Sequence, residues 1–234
     1  MALPYFYIHS ANAESTQLAL DENNSKHIIQ VLRMKLGELI LVTDGRGHIF
    51  TCKIIEDHRK KCVVFVLDTQ KIPIPPKKVC IAISPLKNNS RFEWFIEKAT
   101  EIGIMQIVPL LCERTEKVQV KTERLQSIMI SAMLQSQQAW LPILERPIKF
   151  SDYLKMAPAS QKLIAHCESD TAKTALSTLP PANDSLILIG PEGDFTNREI
   201  EEALQQNFKP VALGNTRLRT ETAAIVAITL LQQL

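Results

Sequence analysis

The sequence predicts an α/β protein, a parallel sheet covered by helices and preceded by a small β-rich unit. Three observations lead there. From residue 78 onward, apolar runs of strand length alternate with segments of helical period, the rhythm of a parallel sheet with helices on both faces. Before residue 70, short apolar runs follow one another across tight turns instead. Between the two, residues 71–77 hold three prolines in seven positions, and proline lacks the N–H that a strand or helix interior needs. The chain therefore divides into 1–70, a linker at 71–77, and 78–234.

The elements follow in order. Residues 26–34 form a short helix with Ile28, Ile29, Val31 and Leu32 apolar, stopped by Gly37. Strands at 39–43 and 48–55 flank Asp44-Gly45-Arg46-Gly47, a hairpin signal, and a third strand at 62–67 follows a polar turn. Past the linker come a strand at 79–84, a helix at 90–102 opened by a capping box from Ser90 to Glu93, and a strand at 105–110. A helix at 124–138, strands at 162–166 and 185–189, and a helix capped by Thr196 and Glu199 and running to 206 come next. A strand at 210–213 and a helix at 220–234 close the chain.

Composition narrows the function. The chain has 234 residues, 45% of them hydrophobic, with a net charge of +2. No run of eighteen apolar residues is present, and the start, Met-Ala-Leu-Pro-Tyr, is not a basic segment followed by an apolar one, so the expectation is a soluble cytoplasmic protein with no membrane partner. Five scattered cysteines without a C-x-x-C pair read as buried free thiols of a reducing compartment. His9, His27, His48, His58 and His166 are isolated, so no metal site is expected. Residues 77–124 carry nine Lys or Arg against six Glu. That zone suits a phosphate-contacting face, although a solvated helix surface is the commoner cause.

The familiar nucleotide and hydrolase fingerprints are missing. There is no G-x-x-x-x-G-K-[ST], no G-x-G-x-x-G after a strand, and no G-x-S-x-G. Of only seven glycines, Gly190, Gly193 and Gly214 stand where an apolar run gives way to a polar loop. Glycine there permits a sharp turn or a close backbone approach to a ligand. Two such loops at the carboxyl edge of a parallel sheet lie where open α/β folds bind ligands. The alternative is a pair of tight strand-to-helix turns.

The residues in these loops form a specific pattern. Ile189-Gly190-Pro191-Glu192-Gly193-Asp194-Phe195 with Glu199, then Leu213-Gly214 leading to Leu218-Arg219-Thr220-Glu221-Thr222-Ala223, resembles the RsmE family of ribosomal RNA uridine-N3 methyltransferases of the SPOUT superfamily. Residues 87–91, 97–103 and 109–114, Gln135-Ser136 before Pro142, and, nearer the start, 27–33, Gly37 and Asp44-Gly45 extend the similarity over nearly the whole chain. The resemblance implies a C-terminal SPOUT domain with a deep trefoil knot and a small N-terminal PUA-like β-barrel that binds RNA. It also implies S-adenosylmethionine as cofactor, a homodimer, and as substrate the 16S ribosomal RNA of the small subunit, methylated at N3 of a decoding-region uridine. Three positions depart from the usual pattern: Asp194 stands where glycine is common, and Thr216 and Gln138 where arginine is common.

On this resemblance Ile189, Gly190, Pro191, Glu192, Gly193, Leu213, Gly214, Leu218, Thr220, Thr222 and Ala223 bind the cofactor. Thr220 and Glu221 read equally as the start and first-turn acid of the last helix. Arg219 and Glu221 are the catalytic candidates. The uracil N3 proton must leave, and a fixed guanidinium at Arg219 stabilises the charge that spreads over O2 and O4; a phosphate clamp or an ion pair with Glu221 is the alternative. Arg33, Lys87, Arg91, Lys98 and Arg114 are assigned to RNA phosphates, which position without reading sequence. Two other functions stay open: a SPOUT ribose 2′-O-methyltransferase, and a non-catalytic RNA-binding assembly factor.

Overall fold

A computed structural model describes residues 3–157, 159–168 and 172–234, so the first two residues of the N-terminal segment read above lie outside it. Two compact units are present, residues 1–74 with 133–141, and residues 75–132 with 142–234.

The first unit is a five-stranded sheet in the order β1(Tyr5–Tyr7), β3(Leu39–Thr43), β4(His48–His58), β5(Lys61–Lys71), β2(Gln17–Ala19). Only β1 and β3 run parallel. Phe6 from one edge strand and Leu18 from the other join one buried cluster with Ile40, Val42, Phe50, Ile54 and Val64, so the sheet curls around a common core. Register shifts in β4 between Thr51 and Cys52 and between Ile54 and Glu56 help it bend. The expected short helix is split into α1(Glu22–Lys26), capped by Asp21, and one π-helical turn at His27–Val31. Buried Ser25 ties α1 to the sheet, donating to the Leu20 carbonyl and accepting the Cys62 N–H.

The hairpin at residues 44–47 is where the sequence places it. Asp44 accepts the N–H groups of Arg46 and His48 and pairs with the His48 ring at 2.7 Å. Burial alone pushes the Asp44 carboxyl up, but these hydrogen bonds outweigh it and hold it below the ordinary carboxylate value. Gly47 has φ +93°, and a Cβ there would fall within 3 Å of the Trp140 ring, so no other residue fits. Trp140 comes from residues 133–141, which the division by chain order assigns to the C-terminal domain.

The second unit is an eight-stranded sheet with every pairing parallel. Its strands are β6(Lys78–Ile83), β7(Gln106–Leu111), β8(Ile143–Leu144), β9(Ile148–Lys149), β10(Gln161–Ala165), β11(Thr174–Ala175), β12(Asp184–Ile189) and β13(Lys209–Ala212). They lie in the order β11-β13-β10-β12-β6-β7-β8, with β9 continuing beside β7. One face is covered by α4(Phe150–Met156) and α5(Asn197–Gln205), where Phe150, Tyr153, Phe195, Ile200 and Phe208 pack on Ala82, Val108, Leu186 and Leu188. Against β6 and β12 lies α6(Thr220–Gln233), which also packs on α2(Asn89–Ile102). A further helix, α3(Thr122–Gln135), follows β7. Because side chains alternate along a strand, Ile81, Ile83 and Ile187 face away from the first cluster and are equally buried.

The capping box of α5 is formed as expected, with Thr196 and Glu199 bonding each other's backbone N–H groups. The one expected at Ser90 is not. Asn88 caps α2 instead, its side chain accepting the N–H groups of Ser90 and Arg91, because the helix begins a residue earlier than the apolar pattern does.

Candidate functional site

A cleft of about 770 Å³ opens in the second unit beyond the carboxyl ends of β10, β12 and β13, three neighbours in the sheet. This is where a parallel sheet leaves loops free to hold a ligand, and the size is that of a small-molecule pocket.

The loop after β12 is a tight turn. Asp194 has φ +63° and donates its N–H to the Pro191 carbonyl at 2.9 Å. Aspartate tolerates this left-handed backbone, so the departure from glycine is accommodated. Its carboxylate then does what glycine cannot, accepting the N–H of Phe195 at 2.8 Å and that of Cys167, beyond β10, at 2.7 Å. Two of the three loops are thereby tied together. Gly190 packs close to Phe195, whose backbone N and ring would lie 3.1 Å from an added Cβ. Glu192 accepts the Lys87 N–H at 3.1 Å.

The third loop carries Gly214 at φ +154°, with open space where a Cβ would be. It ends at Arg219, the N-cap of α6, which makes no side-chain cap. Glu221, its side chain 10% exposed, faces Arg91 at 3.7 Å. The ion pair of Arg219 with Glu221, one of the alternatives to a catalytic role, is not formed, and Glu221 takes its partner from α2 instead. Arg219 is exposed in the cleft wall, with no ion pair or hydrogen bond from its guanidinium among the described residues.

Of the expected cofactor residues, Ile189, Gly190, Pro191, Glu192, Leu213, Gly214, Leu218, Thr220 and Ala223 line the cleft, as do Arg219, Glu221 and Arg91. Gly193 and Thr222 are not on its wall. Gly193 instead offers its carbonyl to Arg114 at 2.7 Å, so this arginine is engaged in holding the loop. Lys98 is clamped by Glu97 and Glu101 at 2.7 and 2.9 Å, and Lys87 by Glu116 at 2.8 Å. Arg33 is exposed at φ +56° in the first unit.

Among the lining residues to which sequence reasoning gave no role are three with polar or reactive side chains, His166, Cys167 and Lys173. The signal for the first two was available, since both follow directly on a strand of a parallel sheet. Cys167 also departs from the expectation of buried thiols, being the exposed one, whereas burial pushes Cys62 up to about 11 and Cys52 and Cys80 up to about 12. No group of three or more potential metal ligands occurs among the described residues, and no helix there is long and apolar enough to cross a membrane.

Residues 73–232 match the family model described as an RNA methyltransferase domain, and residues 20–67 that of an RNA methyltransferase PUA domain. Fold and matches together define an RNA methyltransferase with an N-terminal PUA-like domain. The ribosomal RNA small subunit methyltransferase E of Rickettsia conorii is 31% identical over 229 residues, covering 95% of this chain and 92% of the relative. A probable rRNA-methyltransferase from Porphyromonas gingivalis superposes with a TM-score of 0.92 at 39% identity, covering 99% of both chains. The ribosomal RNA small subunit methyltransferase E of Neisseria gonorrhoeae, solved bound to S-adenosyl methionine, gives 0.88 at 28% identity over 99% of this chain and 98% of that one. The chain belongs to the ribosomal RNA small subunit methyltransferase E family.

Proposed function

We propose that this protein transfers a methyl group from S-adenosylmethionine to N3 of a decoding-region uridine in 16S ribosomal RNA, acting in the cytoplasm as a homodimer. The observation that carries the reading is the cleft itself: three loops at adjacent strand ends, two of them tied together by Asp194, with a guanidinium in the wall that has no partner among the described residues. The residues present fit the cofactor. Gly214 leaves its space open, Gly190 and Leu213 line the wall, and Glu192 brings a carboxylate to it. Bound there, the donor supplies the methyl group.

This chain's own residues do the rest. Arg219 stabilises negative charge on the uracil ring as the N3 proton leaves, and the Arg91–Glu221 pair fixes the start of α6 from which Arg219 extends. Arg33 and its neighbours in the first unit contact phosphate. We also infer the trefoil knot. Its support is the path of the chain, since β13 lies beyond β10 while α6 returns to pack on β12 and β6.

Mapping 3-methyluridine in small-subunit ribosomal RNA from cells with and without the gene tests the reaction. An unchanged map would remove the assignment. Light scattering is expected to give a dimer at micromolar concentration, and a fully active monomer would remove that part. Cys167 is expected to react first with iodoacetamide, and saturating S-adenosylhomocysteine to slow it several-fold, as followed by peptide mass. Equal rates with and without ligand would place the ligand elsewhere.

A further inference from the structure

One polar side chain in the cleft has incomplete bonding. His166 is 8% exposed, and neither of its ring nitrogens has a hydrogen-bond partner among the described residues. A buried polar group left in this state weakens the fold, and native proteins rarely tolerate it without a reason. Its position supplies one. Because β10 runs between β12 and β13, the residue that follows it rises between the Gly190 and Gly214 loops and lines the cleft. Its backbone is held there, since the next N–H, that of Cys167, is bonded by Asp194.

The electrostatics decide which form of the ring is available. Burial, then the Lys173 cation, lowers its pKa below the ordinary histidine value, against the opposing pull of Asp194 and Glu168. The imidazole is therefore neutral at pH 7, with one nitrogen a donor and the other an acceptor. A neutral ring is suited to hydroxyl, amine or carboxylate partners and adds no charge beside a cationic ligand.

We propose that His166 is a ligand-binding side chain of the cleft, its imidazole forming hydrogen bonds with a polar group of the bound methyl donor. The proposal rests on the cleft's being the donor pocket, and it gives a use to a buried group that otherwise only destabilises the fold.

Titration calorimetry with S-adenosylhomocysteine and with 5′-methylthioadenosine, which lacks the amino-acid end, tests it on the full chain. His166→Ala is expected to bind S-adenosylhomocysteine about tenfold more weakly than wild type, the scale of one lost hydrogen bond. His166→Gln should recover part of the loss. If the weakening extends to methylthioadenosine the contact is to the nucleoside, and if it is confined to S-adenosylhomocysteine it is to the amino-acid end; either result supports the proposal. His166→Leu should raise the unfolding midpoint of the ligand-free protein while shrinking the shift that ligand produces, a combination a purely structural histidine does not give. In wild type, the ring nitrogen resonances of His166 should move on adding S-adenosylhomocysteine, a readout independent of how the variants fold. Unchanged affinity of His166→Ala for both probes, or resonances that stay in place at saturation, would overturn the proposal. Wild-type protein that binds neither probe would instead remove the donor-pocket reading beneath it.

Discussion

Replacing Arg219 with lysine is expected to slow methyl transfer by roughly a hundredfold at saturating RNA, the scale of losing one oriented donor to a developing negative charge. The structure sharpens this expectation in two ways. Glu221, the nearest carboxylate in sequence, is paired with Arg91, so Arg219 is not held by a salt bridge that would consume its donors. It is also the N-cap of α6, with backbone angles fixed by the hydrogen bond from the Ala223 N–H to its carbonyl at 2.8 Å, so the side chain projects from a rigid point. Lysine keeps the positive charge there but not the planar fork. Cofactor affinity measured by calorimetry should change little. Arg33→Ala is the contrasting case, since it should weaken RNA binding and flatten its salt dependence while leaving the single-turnover rate intact. A normal single-turnover rate in Arg219→Lys combined with weakened RNA binding would make Arg219 a phosphate clamp only.

Gly190→Val is expected to have the second large effect, a loss of S-adenosylhomocysteine affinity of ten- to a hundredfold together with a lower unfolding midpoint. An added Cβ would stand 3.1 Å from the Phe195 backbone N and ring, and the two further methyl groups of valine would press on the same atoms. Phe195 cannot move away freely. It is 2% exposed, and its ring lies 5.5 Å from that of Phe150 in the core beneath the cleft. Overpacking of this kind costs about 1–3 kcal/mol, and here the strain falls on the turn that carries Pro191 and Glu192. Gly193 is the less informative site despite sharing the motif, because it is absent from the cleft wall and an added Cβ there meets only the Arg114 side chain, at 3.4 Å. Wild-type affinity and stability in Gly190→Val would show that the turn does not shape the pocket.

Much of the second unit is legible in the sequence, and the reasons are local. Strands β6, β7 and β12 are apolar runs buried over most of their length, β10 and β13 are anchored by shorter apolar stretches, and each is found within one or two residues of its expected place. The α5 capping box is a pattern of two residues three apart and needs nothing else to form. Other features have no such signature. Strands β1, β2, β8, β9 and β11 are two or three residues long, too short to show alternation, and exist because a longer strand lies alongside. Residues 133–141 continue a helix of the second unit yet belong to the first, where Trp140 fills the space that Gly47 leaves.

By itself, then, the sequence determined the class of the fold, the two paired loops and the family, because each is written in contiguous residues whose backbone demands are local. Only the tertiary structure decided how the charges are shared. It gave Glu221 to Arg91, Arg114 to the Gly193 carbonyl and Lys98 to its own helix, leaving Arg219 free. It also brought Asp194 to Cys167 and left His166 without a partner in the cleft. The physical reason is distance. A hydrogen bond or ion pair is made or lost within an ångström or so, and residues as far apart as Arg91 and Glu221, 130 positions in the chain, reach that range only after the sheet has ordered their strands.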